Sequence, residues 1–356
     1  MVVLHIAYLN NNACSGVCVV VPQHVIKQTK YATIGFINIA ANNRIDGINH
    51  QFEFIKEFPL SSLPNPFDKP NLVVFHEVYR PEFIKFAKVL LKAHIPYIIV
   101  PHGSLTCNAQ KKKRLKKKVA NIMFFNSFIR HAKAIQCLSQ READDTKFGS
   151  HKFIETNGIQ LPQIKKELFT NSGLRFLYIG RLDIFHKGLD LLLNAVKLIK
   201  EQLRNSQSKL VLYGLDEAGY FKQLQKFIKE NELSDLVYLN HEVIGINKEI
   251  EILKADCFIQ TSRFEGMPMG ILEALSYGLP CLVTSGTTLD KLIVDYNAGW
   301  ACDTSVESIA ETILQAINEK LLLNQKSHNA RLLVEDRFEW DNIAKKTIEQ
   351  YKLLIS

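Results

Sequence analysis

The amino-acid sequence predicts an α/β protein made of two doubly wound domains, each built on a parallel sheet. First, 356 residues are more than one hydrophobic core ordinarily supports, so two domains are expected. Second, short β-branched and apolar runs alternate with longer runs of helical periodicity, which is typical of βαβ units. Third, Gly, Pro, Asn and Ser interrupt this alternation at residues 157–173, after which it restarts. We therefore place the first domain at residues 1–165 and the second at 166–340.

The elements of the first domain are predicted from periodicity. Helical spacing is clearest at residues 81–94, where Phe83, Phe86, Ala87 and Leu90 fall on one face. The predicted strands of this domain are VVLHIAYL (2–9), ATIGFINIA (32–40), NLVVFHE (71–77), PYIIVPH (96–102) and AIQCLS (134–139).

The second domain repeats the alternation, and an amphipathic pattern at residues 341–356 predicts a last helix. The predicted strands are RFLYIG (175–180), KLVLYG (209–214), VYLN (237–240), CFIQTS (257–262) and PCLVTS (280–285), with helices at 188–203, 218–233, 248–255 and 269–277. Open parallel sheets bind ligands at the carboxyl ends of their strands. We therefore expect the active site in a cleft between the facing edges of the two domains.

Composition and missing motifs exclude several function classes. Apolar residues make up 47% and charged residues 22% of the chain, as in soluble globular proteins. No run of 18 apolar residues and no basic signal-peptide region occur, so we expect a cytoplasmic protein. The absence of G-x-G-x-x-G and G-x-x-x-x-G-K-[ST] disfavours hydride transfer to a dinucleotide and P-loop phosphoryl transfer. Seven scattered cysteines are expected to be reduced core residues, and the Cys14–Cys18 pair is only a weak metal signal.

The stretch EGMPMGILEALSYGLP (265–280) predicts a phosphate site. A strand leads into the loop RFEGMP, and a helix is expected to begin at about Met269. Gly266 and Gly270 leave the backbone open to a ligand. The N–H groups of Met269, Gly270 and Ile271 at the helix N-terminus then favour a phosphate or diphosphate.

Two carboxylates flank this phosphate site. Glu265 precedes the helix, and Glu273 lies about one turn inside an apolar helix that we expect to be buried. If Glu265 continues the helical phase, both side chains face the cleft. A carboxylate can accept hydrogen bonds from both hydroxyls of a diol, so the pair suggests the ribose of a nucleotide and a hexose that it carries. The competing interpretation is that a helical Glu is usually a solvated surface residue.

Two cations lie in LYIGRLDIFHKGLDLLL (177–193). Arg181 follows the first strand of the second domain and Lys187 precedes the next helix, so both are expected at the sheet edge with the glutamates. Such cations suit the oxygens of a diphosphate, although loop cations are more often simply solvated. No D-x-D occurs, so we expect no metal; Arg181, Lys187 and the helix dipole would neutralise the diphosphate.

The positive charge of the chain is concentrated in one segment. Residues 1–170 carry a net charge of +12 and residues 171–356 a net charge of −4. Much of the excess is the run Lys111–Lys118, KKKRLKKK, followed by the apolar VANIMFFNSFI. A solvated helix face, a nucleic-acid patch and an anionic lipid surface all stay open. The isolated run lacks interleaved aromatics, so we expect no nucleic-acid partner.

Our hypothesis is that the Lys111–Lys118 run docks the first domain on the anionic inner leaflet of a membrane. The expected localisation is thus cytoplasmic or peripheral on the inner face of the cytoplasmic membrane.

Seven segments along the chain match one family. These are PHGSL (101–105), CLSQRE (137–142), NGI (157–159), GRLDIFHKGLDLL (180–192), EGMPMGILE (265–273), PCLVTSGT (280–287) and FEWDNIAKKTIEQY (338–351). They resemble retaining glycosyltransferase family 4, whose E-x7-E motif EGMPMGILE matches, and most of all its bacterial branch for capsule, exopolysaccharide and lipopolysaccharide O-antigen synthesis. The resemblance implies the GT-B fold, two Rossmann-like domains facing across a cleft, with the C-terminal helix 341–356 packing back on the first domain.

The resemblance also implies residue roles. The first domain would bind the acceptor and the second the nucleotide sugar, with base contacts from the loops at 214–219, beginning with Gly214, and 240–248. By this resemblance Arg181 and Lys187 would hold the diphosphate of the donor, together with the backbone of Gly270 and Ile271. Glu273 would bind the ribose and Glu265 the hydroxyls of the donor sugar. His102 would lie beside the anomeric carbon, and the Ser15–Gly16 loop would close over the donor. The sequence departs from the family pattern in two places. The family's paired glycines near the first loop are SG here, and its NGID is NGIQ here. Both changes affect contacts with the donor and the acceptor.

The implied chemistry is transfer of a sugar from a nucleotide diphosphate sugar, with retention, to a hydroxyl of a glycan or lipid-linked glycan. No protein nucleophile is evident, so the acceptor would attack from the leaving-group face through an oxocarbenium-like state, and the leaving phosphate would take its proton. No cofactor beyond the donor is expected. Two alternatives stay open: a nucleotide-sugar epimerase or hydrolase of the same fold, and a non-catalytic protein that binds a nucleotide sugar or nucleic acid.

Overall fold

The structure is a computed structural model that describes residues 1–10, 16–40, 44–54, 60–111, 114–149, 151–169 and 172–356. The chain forms two compact units: Met1–Gly158 with Trp340–Ser356, and Ile159–Glu339. The division lies a few residues before the predicted one at 165/166. The reason is that the Ile159 N–H donates to the Phe338 carbonyl at 2.7 Å, so the chain joins the second unit directly after Gly158.

A parallel sheet forms the centre of the first unit. Within the described residues it has seven strands in the order β3-β2-β1-β4-β5-β6-β7. They are β1 (Val2–Ala7), β2 (Thr33–Asn38), β3 (Gln51–Phe52), β4 (Leu72–His76), β5 (Tyr97–Val100), β6 (Ala134–Cys137) and β7 (Lys152–Ile154). All five predicted strands are present. The two edge strands β3 and β7 are too short to give an apolar run that a sequence pattern could reveal.

Helices pack on this sheet and include the last helix of the chain. They are α1 (Gly16–Gln28), α2 (Pro81–Lys92), α3 (Cys107–Lys111), α4 (Arg114–Ala120), α5 (Asn126–His131), α6 (Gln140–Asp145) and α15 (Trp340–Ile355), with a π-helical turn at Asn121–Phe125. Helix α15 packs on α1, where the rings of Trp340 and His24 meet edge to face at 4.8 Å. Phe75 lies in the core, with its ring 5.0 Å from that of Phe83.

The second unit has a parallel sheet in the order β10-β9-β8-β11-β12-β13. Its strands are β8 (Arg175–Arg181), β9 (Lys209–Leu215), β10 (Val237–His241), β11 (Cys257–Gln260), β12 (Cys281–Thr284) and β13 (Gly299–Cys302). From β8 the chain builds outward to one edge through β9 and β10, and then to the other edge from β11. The strand order therefore reverses between β8 and β11. Strand β13 was not predicted because it is short and begins with Gly.

Both faces of this second sheet are buried. Along β8, Phe176 and Tyr178 enter a core with α7 and α13, while Leu177 enters a second core with α11 and α14. The helices of this unit are α7 (Leu189–Leu198), α8 (Lys200–Asn205), α9 (Tyr220–Glu230), α10 (Gly245–Lys254), α11 (Met269–Ser276), α12 (Asp290–Asp295), α13 (Val306–Asn318) and α14 (Leu323–Arg337). The predicted fold class, α/β with two doubly wound parallel sheets, is confirmed.

Two further predictions concern the membrane and the cysteines. Among the helices that the structure describes, none combines the length and apolarity needed to cross a bilayer. The six described cysteines are free thiols. Cys137, Cys257 and Cys281 are buried as expected, while the other three are only half-buried. Cys14 lies outside the described residues, so its pairing with Cys18 is not described.

Candidate functional site

Two loops meet at the carboxyl edge of the second sheet. Strand β8 ends at Arg181, and β11 leads through residues 261–268 into α11. These two strands are the neighbours at which the strand order reverses. A hydrogen bond joins the second loop to the segment after β12, because the Glu265 N–H donates to the Gly286 carbonyl at 2.9 Å. Ligands of open parallel sheets bind at such switch points, so this edge is the candidate site.

Glu265 is the centre of a hydrogen-bond network at this edge. Its Oε1 accepts from Lys187 Nζ at 2.6 Å, from Ser262 Oγ at 2.7 Å and from Gln260 Nε2 at 2.9 Å. Its Oε2 lies 4.0 Å from His186 Nε2, which is too long for a hydrogen bond. Three donors therefore fix the carboxylate through one oxygen and leave Oε2 able to accept from a ligand.

Lys187 and Glu265 form a buried ion pair, with 15% and 9% of their side-chain surface exposed. Burial by itself raises the pKa of the Glu265 carboxyl. The Lys187 ammonium and the hydrogen bonds from Lys187 and Ser262 outweigh burial, so the pKa of Glu265 lies below its ordinary value of 4.5. At neutral pH the site thus holds an ionised carboxylate beside a compensating cation.

His186 joins Arg181 to the second loop. Its Nε2 donates to the Phe264 carbonyl at 2.7 Å, and its ring stacks on that of Phe264 at 4.3 Å. Because Nε2 carries the hydrogen, Nδ1 is the acceptor that faces Arg181 Nη2 at 3.5 Å. Burial lowers the pKa of His186, which favours this neutral form.

The loop between β8 and α7 is held by an ion pair and by a glycine. The Arg263 guanidinium donates to both oxygens of Asp190 at 2.7 Å and to the Phe185 carbonyl at 2.8 Å. Gly188 has φ +66°, and a Cβ there would lie 2.0 Å from the Thr261 carbonyl oxygen. Only glycine fits this crossing of the two loops, which places Lys187 opposite Glu265.

The N-terminus of α11 is less open than predicted. The Met269 N–H donates to the Met267 carbonyl at 3.0 Å, and the Ile271 N–H donates to the Pro268 carbonyl at 3.0 Å. The prediction of three open N–H groups is therefore wrong for two of them, because the chain makes a tight turn into the helix. Within the described chain, only the Gly270 N–H of these three has no acceptor.

Glu273 is neither buried nor in phase with Glu265. Its side chain is 30% exposed, and a carboxylate oxygen accepts a hydrogen bond from Lys248 Nζ of α10. The helix begins only at Met269, so Glu265 lies in a loop and the helical-phase argument does not apply. The expectation of a buried Glu273 is wrong because the apolar residues around it occupy the other face of α11.

The other predicted site residues of the second unit differ in how exposed or how tightly packed they are. Arg181 is 44% exposed, and its Nη1 lies 3.6 Å from Glu217 Oε2. Gly214 lies in β9, where a Cβ would come within 2.3 Å of the Leu182 side chain, so packing alone requires glycine there. An added Cβ at Gly266 would meet nothing within 4 Å, so that position is sterically open.

Two predicted residues belong to the first unit. His102 follows β5, is half-buried and has φ +48°. The turn after it is held by Glu142, whose Oε1 accepts from the Gly103 N–H at 2.6 Å. Gly16 is the first residue of α1, and Ser15 lies outside the described residues.

Sequence reasoning missed four residues that contact the predicted ones: His186, Gln260, Ser262 and Lys248. Gln260 and Ser262 end an apolar strand with polar side chains, and His186 precedes Lys187, so all three had a local signal. Lys248 had none, because α10 approaches α11 only through the fold.

Comparison with known proteins is consistent with this arrangement. The sequence model of the family described as glycosyl transferases group 1 matches residues 160–333. An uncharacterised glycosyltransferase of Methanocaldococcus jannaschii is 27% identical over 187 residues, which are 50% of this chain and 44% of that protein. The O-antigen chain mannosyltransferase B of Escherichia coli is 28% identical over 199 residues, 54% of this chain and 49% of that protein.

A solved structure extends the similarity to both units. HepE of Anabaena, in complex with UDP and glucose, superposes with a TM-score of 0.71 and 16% identity, over 98% of this chain and 99% of that chain. At this identity the similarity shows the fold alone. The chain spans about half the length of the curated relatives it matches, between 40% and 49% for four of them. Residues 160–333 are thus similar to the glycosyl transferases group 1, and the chain has the GT-B fold.

Proposed function

We propose that this chain is a retaining glycosyltransferase that moves a hexose from a nucleotide diphosphate sugar to a hydroxyl of a glycan or lipid-linked glycan in cell-surface polysaccharide synthesis. The Glu265 carboxylate carries the proposal, since three donors hold Oε1 while Oε2 is left to accept. An acceptor-only group suits sugar hydroxyls, and the nearby cations suit phosphate. The similarity to an O-antigen mannosyltransferase supports this class of product.

In this proposal the donor lies along the carboxyl edge of the second sheet. Arg181, Lys187 and the Gly270 N–H hold the diphosphate, and Glu265 Oε2 accepts from hydroxyls of the donor sugar. Glu273 accepts from the ribose. The complex of HepE with UDP and glucose supports a nucleoside diphosphate as the leaving group. With two cations and the α11 dipole present, the proposal needs no metal or other cofactor.

In the proposed chemistry no protein side chain forms a bond to the sugar. The acceptor oxygen forms a bond to the anomeric carbon on the face from which the phosphate leaves, and the bond from that carbon to the phosphate oxygen breaks. The leaving phosphate takes the proton of the acceptor hydroxyl. Glu265 stabilises positive charge on the sugar, while Arg181 and Lys187 stabilise negative charge on the phosphate.

The Glu273→Ala variant tests the donor site. We expect about tenfold weaker nucleotide binding, because a hydrogen bond from a ribose hydroxyl to a charged carboxylate is lost. The measurement is a thermal-shift panel of UDP, GDP, ADP, CMP and dTDP, without metal and then with magnesium. Ligand at 100 times its dissociation constant should stabilise the wild type by about 2.7 kcal/mol, and one nucleotide should stand out.

Glu249→Ala is the matched control, since it removes a carboxylate of α10 that accepts a hydrogen bond from Tyr277 at the end of α11, and it keeps the Glu273 carboxylate. It is expected to bind nucleotide as well as the wild type. Equal losses in both variants would assign the effect to the packing of α10 on α11 and contradict the ribose contact. Release of free sugar without acceptor would instead indicate a hydrolase, and binding without turnover a non-catalytic protein.

We further propose that the first unit docks on an anionic bilayer. Val119, Ile122, Met123 and Phe124, which we call the 119–124 face, each expose between 50% and 67% of their surface. This face directly follows the basic run Lys111–Lys118. The surface of an anionic bilayer has negatively charged headgroups over an apolar interior. Contiguous exposed apolar residues beside lysines match such a surface.

The Ile122→Ser/Met123→Ser variant tests this surface by liposome flotation. We expect the wild type to float with vesicles containing phosphatidylglycerol and to remain behind with phosphatidylcholine alone, because lysines need anionic headgroups. The apolar variant, and separately Lys111–Lys113 changed to Ser, should lose most of the floated fraction. Leu168→Ser/Leu321→Ser is the control, since these leucines are 84% and 88% exposed in the second unit. Equal flotation with both vesicle types would disprove the docking.

A further inference from the structure

A chain of hydrogen-bonded histidines leads through the interior of the first unit to His102. Gln28 Oε1 lies 3.0 Å from His5 Nε2, His5 Nδ1 lies 2.9 Å from His76 Nε2, and His76 Nδ1 lies 3.2 Å from His102 Nε2. Gln28, His5 and His76 are at most 1% exposed. The chain of hydrogen bonds thus begins in α1, crosses strands β1 and β4, and ends at His102, two residues past β5.

The geometry makes the tautomers of this chain depend on one another. A neutral imidazole has one donor and one acceptor nitrogen, and His5 and His76 each use both. If His5 donates through Nε2 it must accept through Nδ1, so His76 donates to it through Nε2 and accepts from His102. The direction of every hydrogen bond is therefore the same along the chain. Whichever atom of Gln28 faces His5 decides which nitrogen of His102 carries the hydrogen.

The amide of Gln28 sets that direction. Its Oε1 is the atom that lies 3.0 Å from His5 Nε2, and a carbonyl oxygen can only accept. His5 therefore donates through Nε2, His76 donates to His5, and His102 donates to His76. The Nε2 atom of Gln28 is buried and has no hydrogen-bond partner among the described residues.

The histidines of the chain are neutral at physiological pH. Burial, assisted by His24, lowers the pKa of His5 to about 3 and that of His102 to about 3. Burial also lowers the pKa of His76, with the other three histidines adding to the effect. His24 itself, lowered by burial to a pKa of about 4, donates or accepts at Asn157, 3.0 Å away, and takes no part in the chain.

We propose that His5 and His76 are positioning residues that hold His102 as the Nε2–H tautomer, so that its Nδ1 is a hydrogen-bond acceptor for a substrate hydroxyl at the carboxyl edge of the first sheet. The hydrogen bond that His102 donates to His76 also anchors His102 in the left-handed backbone conformation that non-glycine residues rarely adopt. The proposal rests on the proposed function in one respect, that the substrate carries sugar hydroxyls. The tautomer itself belongs to the chain without ligand.

The first test is a ¹⁵N NMR spectrum of the protein without substrate, with the ring nitrogens of its histidines labelled. Protonated and unprotonated ring nitrogens have distinct chemical shifts in such a spectrum. We expect His102 as the Nε2–H tautomer, without titration between pH 5 and 8. In His76→Phe the fixed tautomer should give way to a mixture. His24→Phe is the matched control, an equally buried ring outside the chain, and should leave the His102 signals unchanged. An Nδ1–H tautomer in the wild type, or unchanged signals in His76→Phe, would overturn the proposal.

The second test is kinetic and uses a milder variant in case His76→Phe does not fold. Gln28→Met keeps the volume and removes the acceptor at the start of the chain. We expect about a tenfold loss in kcat/KM for sugar transfer, the size of one hydrogen bond, and unchanged affinity for the nucleoside diphosphate, which lacks the transferred sugar. Unchanged kcat/KM with an altered tautomer would overturn the positioning role. A wild type without transferase activity would refute the proposed function, while the nitrogen spectrum still decides the tautomer.

Discussion

The Lys187→Met variant is expected to destabilise the second unit by about 3 kcal/mol at pH 7, because it leaves the Glu265 carboxylate buried without its cation. The side chains of Lys187 and Glu265 are still 15% and 9% exposed. We therefore expect a loss of stability near the lower end of the range for breaking a buried ion pair. The effect must depend on pH. In the wild type the pKa of Glu265 lies below 4.5, so its contribution is present above that pH and is lost as the pH falls further.

In Lys187→Met the sign reverses. Burial without the ammonium raises the pKa of Glu265 above its ordinary value, so the variant loses stability as the pH rises through that raised value. The difference between variant and wild type should therefore be larger at pH 7 than at pH 4.5. Urea unfolding followed by the fluorescence of Trp300, in a Trp340→Phe background, measures the second unit alone, because the chain has only two tryptophans.

The double variant Lys187→Met/Glu265→Gln is the control for this prediction. It removes the buried charge together with its partner, so most of the lost stability should return and the pH dependence should vanish. A double variant as unstable as Lys187→Met at pH 7 would show that the loss came from packing around Lys187 and not from the unpaired carboxylate.

Glu265→Gln is expected to lower kcat by a factor on the order of 10²–10³, the usual effect of removing one fixed electrostatic contact to the transition state. The amide keeps the shape of the side chain but has no charge to stabilise an oxocarbenium-like sugar. Nucleotide affinity should change little, because the contact is made to the sugar. Initial rates with donor and acceptor, together with nucleotide titrations, separate the two effects.

Asp190→Asn is the matched control for Glu265→Gln. It neutralises a carboxylate near the same loops, but one whose two oxygens both accept hydrogen bonds from Arg263. We expect its kcat to stay within about twofold of the wild type, as for other partly exposed ion pairs. A loss in kcat as large as that of Glu265→Gln would mean that loop structure, and not the charge at Glu265, supports turnover.

The fold was largely predictable because its signals are local. Each buried central strand is a short apolar run, and each helix is an amphipathic period, so the order of elements could be read along the chain. The edge strands β3 and β7 were missed because pairing with one neighbour needs few residues and little apolar surface. The domain boundary was displaced because the pairing of Ile159 with Phe338 is a contact between distant positions.

The candidate site was predicted less completely. Strand ends located Arg181, Lys187 and Glu265, since the carboxyl edge of a parallel sheet follows from the order of elements. The partners of these residues did not follow. The ion pair of Lys187 with Glu265 and that of Lys248 with Glu273 join positions that lie far apart in the sequence.

The histidine chain had a signal that the sequence analysis did not use. VLHIA, VFHE and VPHG each place a histidine within or after an apolar strand. A polar side chain in a strand buried on both faces needs a partner, and the neighbouring strands supply one another. The order of strands was needed to see that β1, β4 and β5 are adjacent.

The return of α15 to the first unit determines the order in which the two units can be completed on the ribosome. Residues 1–158 are made first, yet α1 lacks its covering helix until α15 has been synthesised. The second unit is one continuous stretch and is complete earlier. The usual amino-terminal-first order of domain folding is thus reversed. A nascent chain can hold a finished Lys187–Glu265 pair while Tyr351, which donates to Gln136 of the first sheet, has yet to be made.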